Sequence, residues 1–332
     1  MKNYKSKIVI LAFFILLITT YKGYINKNNL TAYGCGKIIL FNEHFVVYDT
    51  PAIAASLPQK VIARIINSDE FNLYPKILET GDTLKAINKI FECLNLKKEN
   101  CNFCICFESE IEPGSGIGSS AAFAVATIKV LSKYLKLNLR NTEINKIAYE
   151  TEKIFHQNPS GIDNTISTYQ GIIFFKKENP VIIKQLNIKE TLIFVVGKSG
   201  KIGLTKKAVK KVKKFKDKNP EKFETILQKA IRLADKSLNA LINSDVEKIG
   251  KFMNKNHKLL QQIKVSTPDL DQLINIAKQS GATGAKLTGG GLGGNMIALV
   301  KNEEDANKIL DGFKKKGFDG FVVKIKNSNY CK

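Results

Sequence analysis

The sequence predicts a mixed α and β protein in two domains that divide near residue 188. Three observations lead to this reading. The chain has 332 residues, enough for one large or two medium domains with buried cores. Strand-like runs alternate with helix-like ones along its whole length. Beyond Asn187 the β-rich first half gives way to a lysine-rich region of long amphipathic helices.

Composition narrows the class. With 44% hydrophobic and 25% charged residues, the chain can bury a core, so dominant disorder and fibrous structure are excluded. Six cysteines are too few and too irregular for a disulfide scaffold, which points to reduced thiols in a cytosol. The formal charge of +22 would attract polyanions. However, 49 lysines stand against three arginines (Arg64, Arg140, Arg232), whereas bidentate reading of bases and phosphates is mostly arginine work. A solvated lysine coat without specific nucleic-acid binding is expected.

Residues 1–28 form a hydrophobic extension. Ile8 to Tyr21 carries no charge and follows Lys2, Lys5 and Lys7. Fourteen residues fall short of the roughly 20 that span a bilayer, and no small-x-small cleavage site follows. A short membrane anchor, an extra packed helix and a start site placed too early all remain open, and membrane contact would run through residues 8–21.

The first domain is assigned to residues 29–188. Thr31 to Val47 reads as strand, loop, strand, broken by Gly34, Gly36 and the polar Asn42-Glu43-His44. Leu84 to Leu94 reads as a helix, and Phe103, Ile105 and Phe107 alternate with Cys104, Cys106 and Glu108 as in a strand. A glycine loop, Glu112 to Ser120, separates that strand from an alanine-rich helix at Ala121 to Leu135. A second helix covers Thr142 to His156, and the turn at residues 158–164 leads into Thr165 to Phe175.

The second domain, residues 189–332, opens with a strand at Leu192 to Val196. Helices are expected at Lys206 to Lys218, Glu221 to Leu241, Val246 to Ile263, Asp269 to Ser280 and Glu303 to Lys315. Strands are expected at Asn295 to Val300 and Phe321 to Ile325. On the first of these helices Ala208, Val209, Val212 and Phe215 share one stripe, so its lysines should form the wet face. No internal repeat is visible.

Chemistry concentrates in a few segments. Gly114, Gly116 and Gly118 can turn several N–H groups toward one point, and the following helix adds its positive end, as a phosphate cradle requires. The spacing fits neither a Walker A loop nor G-x-G-x-x-G. Lys37 is a candidate cation for that cradle, the alternative being a snorkelling surface lysine. Glu152 and Asp163, eleven residues apart across a Pro-Ser-Gly turn, could hold a divalent cation and face a substrate hydroxyl respectively. His156 and His257 read as capping or packing residues. His44 stands apart, beside Glu43 in a loop. Gly289, Gly291 and Gly294 match G-x-G-x-x-G, but a strand follows, so a dinucleotide site is rejected in favour of close backbone approach. Cys101, Cys104 and Cys106 lack a four-ligand zinc spacing and read as small fillers.

Together the segments GKIILFNEHFVVYDTPAIA, EPGSGIGSSAAFAVA and KLTGGGLGGNMIALV resemble the three motifs of the GHMP kinases, over about residues 30 to 330. NPSGIDNTISTYQG, with the Glu43-His44 pair, makes the mevalonate kinases of that family the nearest. The resemblance implies a two-domain α+β GHMP kinase fold, with an N-terminal nucleotide-binding domain and a C-terminal ferredoxin-like domain around the active site. It implies ATP-dependent phosphorylation of the 5-hydroxyl of mevalonate in isoprenoid biosynthesis. The rivals are another GHMP kinase, acting on phosphomevalonate or homoserine, or an inactive nucleotide-binding homologue.

The resemblance also implies the following roles. Pro113, Gly114, Ser115, Gly116, Ile117, Gly118, Ser119 and Ser120 would wrap the ATP phosphates, with Ser120 and Glu152 holding Mg²⁺. Lys37 and Asp163 would form the catalytic pair. Glu43, His44, Thr205, Gly290 and Gly291 would contact mevalonate. Cys35, Asn42, Leu292 and Asn295 depart from the family pattern of Pro, Gly, Gly and a small residue, which bears on nucleotide affinity and loop closure. A cytoplasmic catalytic domain is expected, and a homodimer is left open.

Overall fold

The computed structural model describes residues 30–156 and 159–327. The expected N-terminal extension lies outside them. β1 (Leu30–Phe41) and β2 (Ala52–Asn67) form a long antiparallel pair. β2 has 16 residues, so its start can pair with β5 (Ile172–Lys176) and its end with β4 (Phe103–Ser109). β3 (Asn72–Tyr74) and β6 (Ile182–Leu186) complete a sheet of order β3-β4-β2-β5-β6, with β1 on β2. α2 (Ser119–Tyr134) packs on it, and α1 (Gly81–Cys93) and α3 (Asn141–Phe155) pack against α2 and each other. Alternation divides β1 between two clusters: Ile38 and Leu40 join the main core, and Ile39 joins a smaller one with Ile162, Ile166 and Phe175. Each fully buried side chain of this kind contributes about 1.5–3 kcal/mol.

One segment differs from the sequence expectation, and a second, given no element there, divides in two. Thr31 to Val47 is not strand, loop, strand: β1 continues through Gly34 and Gly36 to Phe41, and Phe45–Tyr48 is a 3-10 turn. Gly34 permits contact there, since a Cβ would lie 2.1 Å from the Ala122 carbonyl oxygen of α2. One of two register shifts in the pair falls between Cys35 and Lys37, the other between Ile39 and Phe41, and the first re-aims the lysine. The second, Thr165 to Phe175, begins as helix and ends as strand: α4 (Ile162–Tyr169) precedes β5. Gly161, at φ 89°, starts α4, and Thr165 Oγ1 donates to its carbonyl at 2.6 Å.

The second sheet comprises β7 (Leu192–Lys198), β8 (Gly284–Thr288), β9 (Asn295–Val300) and β10 (Asp319–Ile325), in the order β10-β7-β9-β8. All its pairings are antiparallel, and the order is that of a ferredoxin-like sheet. α5 (Thr205–Lys218), α6 (Pro220–Ile242), α7 (Val246–Gln262) and α8 (Pro268–Gln279) lie between β7 and β8, and α9 (Glu303–Lys315) joins β9 to β10. Caps fix the boundaries: Asp245, Thr267 and Asn302 accept from the backbone N–H of Lys248, Leu270 and Asp305. Phe194 and Val196 of β7 face the core shared with the first sheet, while Val195 faces a second core with Leu260, Leu287 and Phe313. The two units therefore meet through a continuous apolar contact. No described helix is long and apolar enough to cross a membrane.

Candidate active site

A cavity of about 950 Å³ opens between the units. Its roof is the loop that carries the chain from β4 into α2. Gly114, Gly116 and Gly118 have φ of 74°, 80° and 88°, conformations that only glycine adopts freely. The resulting turns aim the start of α2 into the cavity, where unpaired N–H groups and the helix dipole favour an anion. Pro113, Gly114, Gly116, Gly118, Ser119 and Ser120 line the cavity, whereas Ser115 and Ile117 do not. These two anchor the loop instead. The Ile117 carbonyl accepts the Lys37 N–H at 2.8 Å, and the Ser115 carbonyl accepts Asn295 Nδ2 at 2.6 Å.

Lys37 is buried at 4% exposure, so the snorkelling alternative does not hold. Its Nζ donates to the Gly116 carbonyl at 3.3 Å and lies 3.3 Å from Asp163 Oδ2. Asp163 sits in the first turn of α4 rather than in a loop, with its side chain 27% exposed. Glu152, near the end of α3, is 1% exposed, with the Ser120 hydroxyl beside it. Burial, and then the charge of Asp163, raise its pKa to about 8. Its Oε1 is buried with no hydrogen-bond partner. An orphaned carboxylate oxygen beside a hydroxyl and a second carboxylate fits a hard divalent cation. His156 Nε2 stands 3.9 Å from Glu152 Oε2, and burial lowers its pKa.

The opposite wall is built by the turn after β1 and the loop between β8 and β9. His44 is buried, which depresses its pKa to about 4. The neutral ring donates Nε2–H to the Gly290 carbonyl at 2.8 Å. Glu43 is paired with Lys286, which sequence reading did not select. Burial pushes Glu43 up and Lys286 down, and their mutual attraction opposes both shifts. Thr205 opens α5 and packs on Gly290, where a Cβ would lie 2.2 Å from Thr205 Oγ1. Gly290 lines the cavity, but Gly291 turns away against Val265. Leu292 takes φ 52° and is held by its N–H to the Val265 carbonyl at 2.8 Å. The lysines of α5 are exposed, as its expected wet face, and Lys206, Lys210 and Lys213 of that face line the cavity.

An anion cradle, a buried lysine against a carboxylate and a second carboxylate short of a ligand can position a phosphoryl donor and an acceptor hydroxyl, and can stabilise spreading negative charge. The chain belongs to the GHMP kinase family. The family's N terminal domain matches residues 83–171 and its C terminal domain matches residues 237–319. Mevalonate kinases are among the relatives it matches. That of Pyrococcus furiosus is 35% identical over 298 residues, covering 81% of this chain and 88% of its own. The crystal structure of L. major mevalonate kinase in complex with R-mevalonate superposes with a TM-score of 0.83 at 30% identity, over 90% of this chain and 96% of that one. Methanococcus jannaschii mevalonate kinase gives 0.77 at 29% identity, over 91% and 100%.

Proposed function

We propose that the cavity transfers the γ-phosphoryl group of ATP to the 5-hydroxyl of mevalonate, giving 5-phosphomevalonate and ADP. The observation that carries this reading is the Lys37–Asp163 pair at 3.3 Å beneath the glycine loop. The loop N–H groups and the start of α2 cradle the phosphates. Lys37 offsets the charge that builds on the transferring oxygens, and Asp163 accepts the proton of the attacking hydroxyl. Ser120 and Glu152 would hold Mg²⁺, which neutralises phosphate charge when bound. Glu43, His44, Thr205 and Gly290 enclose the acceptor. The catalytic units, divided near residue 188, work in the cytoplasm, where ATP is available. Identity of 35% over 81% of the chain with a mevalonate kinase favours this acceptor over phosphomevalonate or homoserine.

Asp163→Asn tests the chemistry at nearly constant volume. Binding of an ATP analogue should survive, because the cradle lies elsewhere. Turnover on mevalonate should fall by roughly 10² to 10⁴. A folded variant that keeps more than about a tenth of wild-type turnover would assign the proton to another group.

A further inference from the structure

Lys286, on β8, has no exposed surface. Its ammonium donates to Glu43 Oε1, to the Leu287 carbonyl at 2.7 Å and to the Ile39 carbonyl at 3.4 Å. All three donors are thus engaged, and two of the acceptors belong to β1 or the turn that follows it. Two residues further along β8, Thr288 Oγ1 donates to the Ile39 carbonyl at 3.0 Å and accepts the Ile39 N–H at 2.9 Å. The second unit thereby grips β1 at Ile39, two residues from Lys37. The other oxygen of Glu43, Oε2, is buried without a partner, and Glu43 lines the cavity.

Burying two charges costs several kcal/mol per ion, and well-packed apolar residues could join the units without that cost. The geometry gives the pair a different use. We propose that Lys286 is a positioning residue for phosphoryl transfer, fixing the Glu43 carboxylate at the acceptor pocket and the β1 backbone under Lys37. This rests on the reading that Glu43 bounds the acceptor site. The glycine loop touches neither Lys286 nor Glu43 and meets β1 through Lys37, so loss of the pair should reach acceptor use far more than nucleotide binding.

The test compares Lys286→Met, Glu43→Gln and the double variant, which leaves no unpaired buried charge. Three quantities are measured: thermal melting, the Kd for a non-hydrolysable ATP analogue, and kcat and KM for mevalonate. The double variant should melt within about 5 °C of wild type or above it, and should bind the analogue within about threefold of wild type. Its kcat/KM for mevalonate should stay about 30-fold or more below wild type, and no lower than in the worse single variant, as for groups that act as one unit. Recovery of more than about a third of wild-type kcat/KM would overturn the proposal. So would a parallel loss of nucleotide binding, or a double variant that does not fold, since either makes the pair purely structural. A wild-type enzyme inactive on mevalonate would instead overturn the functional reading.

Discussion

At pH 7 the Glu152 carboxyl lies below its own pKa of about 8, so a cation that binds there must displace a proton. Apparent Mg²⁺ affinity should therefore rise with pH, by about fivefold between pH 7 and 8, and Glu152→Gln should lose most of that slope and need more Mg²⁺. Equal slopes in the two proteins would remove Glu152 from the metal site. His257 gives a second titration. Its Nδ1 accepts the Leu287 N–H at 3.5 Å, its Nε2 donates to Asp271 at 3.1 Å, and burial lowers its pKa to about 4. The unfolded chain then binds more protons below pH 6.5, so the contribution of His257 is present above pH 6.5 and is lost as pH falls toward 4. Between pH 7 and pH 5 wild type should lose about 2 kcal/mol more stability than His257→Asn, measured by urea unfolding of each. Lys37 had only Gly36 to single it out until the resemblance gave it a role, while Glu152 and Asp163 were legible across a Pro-Ser-Gly turn. Lys286 was not, since its partner Glu43 lies 243 positions away and nothing local distinguishes it among 49 lysines.

The elements were legible where periodicity and caps agree. α9 begins after Asn302 with Glu303, Glu304 and Asp305 and ends in Lys314 and Lys315, a charge order that suits the helix dipole. α4 was hidden because it has only eight residues, and Thr165, Ile166 and Thr168 favour a strand by propensity. Its start depends on the Gly161 turn and on packing against Phe175. β1 was misread for the converse reason: Gly34 and Gly36 look like breaks, yet they admit α2 and the Ile117 segment. Gly34→Ala should destabilise the fold by about 3 kcal/mol or more, because backbone of α2 must move. Gly317→Ala, at φ 77° with nothing within 4 Å, should cost only about 1–2 kcal/mol of backbone strain. Comparable losses in the two variants, by chemical denaturation, would contradict this account of helix–strand approach.

Across the molecule, function depends on how the two units are tied over the cavity. Asn295 reaches the Ser115 carbonyl, His44 reaches the Gly290 carbonyl, and a Cβ on Gly289 would lie 3.0 Å from the Gly116 carbonyl oxygen. The two glycine loops therefore interlock, and the departure at Asn295 serves that contact. The ferredoxin-like order followed from the resemblance, whereas the placement of Lys206, Lys210 and Lys213 in the cavity wall required the packing of α5. Their combined charge should draw anionic substrates inward. Replacing all three with Gln should raise KM for ATP about three- to tenfold at low ionic strength, with the difference closing by about 0.5 M salt.

The acceptor is tested most directly by measuring ADP release with mevalonate, phosphomevalonate, homoserine and galactose under one set of conditions, with the product examined by phosphorus NMR. Mevalonate should give a kcat/KM at least about 100-fold above the others, a margin within reach of a site that pairs the substrate's polar groups, and a phosphate bonded to the C5 methylene. Faster turnover of any other acceptor, or turnover of none, would contradict the account.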